Sequence, residues 1–87
     1  MTVLRLRSDD LEWREVHGEV VAIDLKGSVY FTLNQTGAEL WPALSEGATR
    51  EQLVARLCDA YGVDEATAAR DVDAFLDSLR ERELLTA

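Results

Sequence analysis

From Trp13 to Leu33 the chain reads in steps of two, the period of a strand, and beyond Leu33 it reads in steps of three and four, the period of a helix. Glu12 to Val16 leads into His17-Gly18, a turn. In Glu19 to Leu25, Val21, Ile23 and Leu25 fall on one face and Val20, Ala22 and Asp24 on the other. Lys26-Gly27 breaks the run as a hairpin does. In Ser28 to Leu33, Val29, Phe31 and Leu33 share a face, opposite Ser28, Tyr30 and Thr32. These segments predict a three-stranded antiparallel meander with one apolar face.

Asn34 can cap a first helix in which Ala38, Trp41 and Leu44 recur at helical spacing. Pro42 lies inside that helix and removes a backbone donor, so the helix is expected to be shortened or kinked before Gly47. Thr49 and Gln52 make a capping box for a second helix, with Leu53, Val54, Leu57, Ala60 and Tyr61 as its apolar stripe and Gly62 as its stop. Asp64 can cap a third, with Ala68, Val72, Phe75, Leu76 and Leu79 as its stripe, reaching about Arg82. Leu84-Leu85 is expected to fold back onto the core. Val3-Leu4-Arg5-Leu6 reads as a short strand or a loose arm. The expected architecture is α+β and winged-helix-like: a three-stranded antiparallel sheet followed by three α-helices, as one domain over residues 1–87. The helices must cover one sheet face, because nothing else can bury it.

With 87 residues, 47% of them apolar, the chain can build one modest core with little spare area for a deep active site. The longest apolar stretch, Val20 to Ile23, is far too short to span a bilayer, and the start does not read as a secretory signal. The cytoplasm is therefore the expected compartment, in keeping with the single cysteine, Cys58. A net charge of −8 argues against nucleic acid and against anionic membranes as partners.

Candidate chemistry is sparse. His17, the only histidine, has no nucleophile or second ligand near it and reads as a turn residue. Cys58 follows Leu57 inside a helical stripe and reads as a small buried apolar residue. Asp73 and Asp77 share a helix face while Asp71 lies elsewhere; a solvated face accounts for them, and contact with a basic partner group is the next reading. No phosphate loop, CxxC or HExxH occurs, so neither enzyme activity nor a cofactor or metal is expected. What remains is an edge. An outer strand of a meander leaves N–H and C=O groups unpaired, and such edges are normally covered or blunted. Ser28-Val29-Tyr30-Phe31-Thr32 has no charge and no proline, so it can accept an added peptide strand unless it is central or covered by Met1 to Leu6.

The stretch Gly18-Glu19-Val20-Val21-Ala22-Ile23-Asp24-Leu25, followed by Tyr30-Phe31-Thr32-Leu33-Asn34-Gln35-Thr36-Gly37-Ala38 and Trp41, resembles the PqqD-like family. Ala55 to Val63 and the late Asp71-Val72-Asp73-Ala74-Phe75-Leu76-Asp77-Ser78-Leu79 continue the likeness, which runs from about Trp13 to Leu85. Pro42 departs from it, where the family usually has a polar helix former. The resemblance implies a recognition element for ribosomally made, post-translationally modified peptides (a RiPP recognition element). In such domains the leader of a precursor peptide adds as a strand beside the third strand, in a cleft against the third helix, and the domain presents it to a modifying enzyme without doing chemistry. Two freestanding kinds are similar to this chain. One is the lasso-peptide B1 protein, which hands its precursor to a B2-type leader peptidase and is the reading preferred here. The other is the PqqD chaperone, which serves a radical enzyme in pyrroloquinoline quinone synthesis.

Carried onto this chain, the resemblance implies a peptide-binding set of Ser28, Val29, Tyr30, Phe31 and Thr32 on the third strand. On the third helix it implies Ala68, Asp71, Val72, Phe75, Ser78 and Leu79. Val29 and Phe31 would floor the cleft, Tyr30 would flank the added strand, and Asp71 and Ser78 would orient a polar or basic group. The competing classes are a DNA-binding regulator, disfavoured because the second helix offers only Arg50 and Arg56 and the third is acid-rich; a small enzyme; and a structural subunit docked permanently through its open strand.

Overall fold

A computed structural model describes residues 2–86; Met1 and Ala87 lie outside it. Three strands, β1 (Leu11–Val16), β2 (Glu19–Asp24) and β3 (Val29–Thr32), precede three helices, α1 (Gln35–Glu46), α2 (Arg50–Tyr61) and α3 (Glu65–Glu81). The fold is α+β, with an antiparallel sheet in the order β1-β2-β3.

Local chemistry explains the turns and caps. His17 and Gly18 both have positive φ, 53° and 81°, which is the type I′ geometry that joins strands across two residues. The second hairpin is longer. Asp24 accepts a hydrogen bond from the Lys26 N–H, and Ser28 takes a left-handed φ of 56°. Ser28 therefore belongs to the turn and not, as expected, to the strand, and Leu25 likewise lies beyond β2. Asn34, Thr49 and Asp64 each cap a helix by accepting a backbone N–H. Gln52 completes the capping box by accepting the Thr49 N–H, and Gly62 closes α2 in the left-handed region.

Pro42 does not shorten α1, the first of the two effects expected of it: the helix runs from Gln35 to Glu46 with the proline inside it. A proline deletes one i→i−4 bond, and the loss is tolerated where the same turns are anchored by packing. Here Leu40, Trp41 and Leu44 are wholly buried on either side of it. Trp41 is the hub, meeting Trp13 and Phe31 edge-on at ring centroid distances of 6.3 and 6.2 Å. Between the sheet and the helices lie Val20 and Ala22 of β2, Leu53 and Leu57 of α2, and Ala68, Val72, Leu76 and Leu79 of α3. The sheet's inner face is therefore the one carrying Val20 and Ala22. Ile23 and Tyr30 are exposed on the other. Cys58, expected in the core, is only half-buried beside it.

The chain ends brace one another. Leu4 exchanges backbone hydrogen bonds with Ala48, Arg7 donates its N–H to the Leu84 carbonyl, and Thr86 donates to Arg5. Leu84 is fully buried, so the tail does return to the core. This arm pairs with the α1–α2 connection and the tail, at Leu4↔Ala48 and Leu6↔Leu85, and not with β3.

Candidate functional site

β3 is an edge strand, and its register with β2 determines which of its groups are free. Leu33 donates its N–H to the Val20 carbonyl at 3.0 Å, just past the paired residues Val21↔Thr32, Ala22↔Phe31, Ile23↔Tyr30 and Asp24↔Val29. Hydrogen-bonded pairs alternate along an antiparallel ladder. Phe31 and Val29 thus direct their N–H and C=O to β2, and Tyr30 and Thr32 direct theirs outward. The opposite edge, β1, displays the exposed charges of Glu12, Arg14 and Glu15, whereas β3 has none. Charge on an edge discourages strand addition, so β3 is the receptive side.

Beside this edge runs a cleft of about 460 Å³ between β3, the start of α1 and α3. Its walls are Phe31, Thr32, Leu33, Asn34 and Thr36 on one side and Asp71, Ala74, Phe75, Ser78, Leu79 and Arg82 on the other. Phe31 faces the helices because its partner Ala22 does, and the Arg82 guanidinium lies 4.8 Å from its ring centroid. Phe75 lies against Gly37. A Cβ at Gly37 would sit 3.0 Å from Phe75 Cε1 and 3.3 Å from Leu33 Cβ, so a side chain at residue 37 would crowd the ring and make it give way by a few tenths of an ångström.

Of the eleven residues assigned to peptide binding from the sequence, Phe31, Thr32, Asp71, Phe75, Ser78 and Leu79 line this cleft. Val29 and Tyr30 lie on the edge strand outside it, both exposed, Tyr30 at 74%. Ala68 and Val72 do not reach it. Both are wholly buried, because the inward stripe of α3 is spent on the core against α2. Ser28 stands in the preceding turn. Leu33, Asn34, Thr36, Ala74 and Arg82 were not singled out. Arg82 could have been, since residues 71, 75, 78 and 82 continue a single four-three-four spacing down α3.

The other two aspartates of α3 are engaged elsewhere. Arg50 holds Asp73 with two hydrogen bonds, which set the Asp73 carboxyl below its usual range. Asp77 pairs with Arg80. Among the described residues, no cluster of three His, Cys, Asp or Glu side chains is placed to hold a metal, and no helix is long and apolar enough to cross a membrane.

The model of a family described as coenzyme PQQ synthesis protein D (PqqD) matches residues 19–85. No curated protein matches the chain. Among solved structures, TbiB1 in complex with the TbiA(beta) leader peptide is 35% identical, with 95% of each chain covered and a TM-score of 0.86. A lasso peptide synthetase B1 complexed with the leader peptide is 26% identical, covering 97% of this chain and 98% of its own, with a TM-score of 0.82.

Proposed function

The chain belongs to the PqqD family, and from that premise we propose that it is a non-catalytic adaptor of lasso-peptide biosynthesis. It binds the leader segment of a ribosomally made precursor peptide as an added strand on β3. It then presents the precursor to a B2-type leader peptidase or other modifying enzyme, in the cytoplasm. The observation that carries this reading is the uncharged edge of β3, open at Tyr30 and Thr32 and flanked by the cleft of Phe31 and Phe75. Backbone hydrogen bonds to the edge supply affinity for any extended segment. The cleft supplies selectivity, through the side chains that point toward the helices at every second guest position. Both solved relatives named above were captured with a leader peptide. The family's name favours a second reading on the same groove, presentation of a precursor to a radical enzyme of pyrroloquinoline quinone synthesis. The likeness to B1 proteins over nearly the full chain weighs toward the first.

The test is calorimetric titration of the domain with the leader segment of a lasso precursor peptide, followed by cleavage of that precursor by a B2-type leader peptidase with and without the domain. One-to-one binding and cleavage that depends on the domain are expected. A folded domain that ignores the leader rules the adaptor role out. A domain that binds the leader but is dispensable for cleavage rules out the handover to a peptidase.

A further inference from the structure

Arg82 and Asp71 are the two ionisable residues among the cleft's walls, and they stand at opposite ends of it. The order along the cleft follows from three contacts. Arg82 lies over Phe31 in β3, Phe75 lies against Gly37 in α1, and Asp71 is one helical turn beyond Phe75. α3 therefore runs antiparallel to the chain from Phe31 to Gly37, with its cation beside the strand and its anion past the strand's end. Among the described residues neither side chain has an ion-pair partner, although most other arginines and several carboxylates do. Asn34, one of the uncharged polar residues of the walls, spends its side-chain oxygen on capping α1 at Gly37.

We infer that this pair makes the cleft electrically polar and fixes the direction and register of its guest: an extended segment bearing an acidic residue at Arg82 and a basic residue at Asp71. The inference rests on the groove proposed above and adds the chemistry of what the groove selects. Eleven residues of helix at about 1.5 Å each separate the two charges by roughly 16 Å. An extended strand covers that in about five residues at roughly 3.3 Å each. Side chains alternate faces along a strand, so the guest motif is an acid and a base about four or six positions apart, the even spacings that turn both toward α3, with apolar side chains between them on the face toward Phe31 and Phe75. A segment laid in the reverse direction sets like charges against each other at both ends, which is how charge placement selects orientation more than raw affinity. Arg82 has an added role, because its resting place on the Phe31 ring is the place an apolar guest side chain takes. An acidic guest residue draws the guanidinium off the ring and uncovers the floor.

The test uses the whole chain as bait for random twelve-residue peptides displayed on phage, run in parallel with Arg82→Glu and Asp71→Lys. Melting curves confirm that both variants fold. Wild type should enrich peptides with an acid and a base about four or six residues apart. Arg82→Glu should enrich a base where wild type takes the acid, and Asp71→Lys an acid where wild type takes the base. A peptide enriched by wild type should bind each variant about tenfold more weakly. A gained preference of the opposite sign is a result that misfolding cannot imitate. Pools without charge preference, or with the same preference in all three proteins, overturn the inference while leaving the groove in place. Pools that are empty, or that bind a folded Tyr30→Pro variant as well as wild type, remove the groove itself and the polarity with it.

Discussion

Gly37, Phe75 and Phe31 determine the shape of the cleft floor. The ring of Phe75 occupies space that any Cβ at residue 37 would claim, and Phe31 rests edge-on against the buried Trp41. Gly37→Ala is expected to push the Phe75 ring outward and to destabilise the domain by about 1–3 kcal/mol, the usual cost of overpacking. A lowered urea midpoint together with weaker leader binding would show it; an unchanged midpoint would mean that the ring moves freely. Phe75→Ala should cost about 1–3 kcal/mol of leader affinity, in the range of a truncated interface anchor. Calorimetry on the folded variant measures this, and unchanged affinity would take Phe75 out of the site. Phe31 and Phe75 stood out in the sequence by type and spacing. Gly37 was legible only as part of a family motif, because a glycine's purpose depends on what presses against it.

At the scale of the elements, β3 is short and uncharged, and its two sets of backbone groups do different work. Proline at residue 30 removes an N–H that faces outward, so Tyr30→Pro should keep the fold and lose the guest strand. Proline at residue 31 removes an N–H that β2 accepts, so Phe31→Pro should unfold the sheet. Circular dichroism with leader titration separates the two outcomes, and identical behaviour of both variants would contradict the register. The helices stand on their caps. Thr49→Ala breaks the capping box at the start of α2 and should lower stability by about 1 kcal/mol, read from chemical denaturation. That box, the Asn34 and Asp64 caps and the Gly62 stop were all visible in the sequence, since a cap is a contact between residues three apart. The fate of Pro42 was not visible there. Whether a helix survives a proline depends on the packing of its neighbours, and Leu40, Trp41 and Leu44 supply that packing here.

For the molecule as a whole, Arg7 joins three separate parts. Its guanidinium donates to the Asp24 carboxylate at the end of β2, to the carbonyl of Asp10 before β1 and to the carbonyl of Glu83 in the tail. The hydrogen bond from Arg7 holds the Asp24 carboxyl below its ordinary range, against partial desolvation. A carboxyl whose folded pKa is depressed contributes stability above its unfolded value, and the contribution fades as pH falls through the folded value. Stability should therefore drop below about pH 4, and Asp24→Asn should flatten part of that acid limb in melting curves taken across pH. The same slope in the variant would place the acid sensitivity elsewhere, on Asp64 or Asp73, whose carboxyls are also held low.

Periodicity, turn residues and caps were sufficient to determine three strands, three helices, their order and most of their limits, because those features are set by neighbours in the chain. The identity of the apolar stripe on α3 was equally plain. How that stripe divides was decided only by tertiary packing: Ala68 and Val72 were drawn into the core against α2, while Phe75 was left at the cleft. Tertiary structure also decided that the N-terminal arm lies against Ala48 and Leu85, leaving β3 open, and that Arg82 comes to rest on Phe31. The contacts of the arm and of Arg82 join residues 44, 79 and 51 positions apart. Their outcome rests on competition for buried surface across the whole fold, which no local pattern encodes.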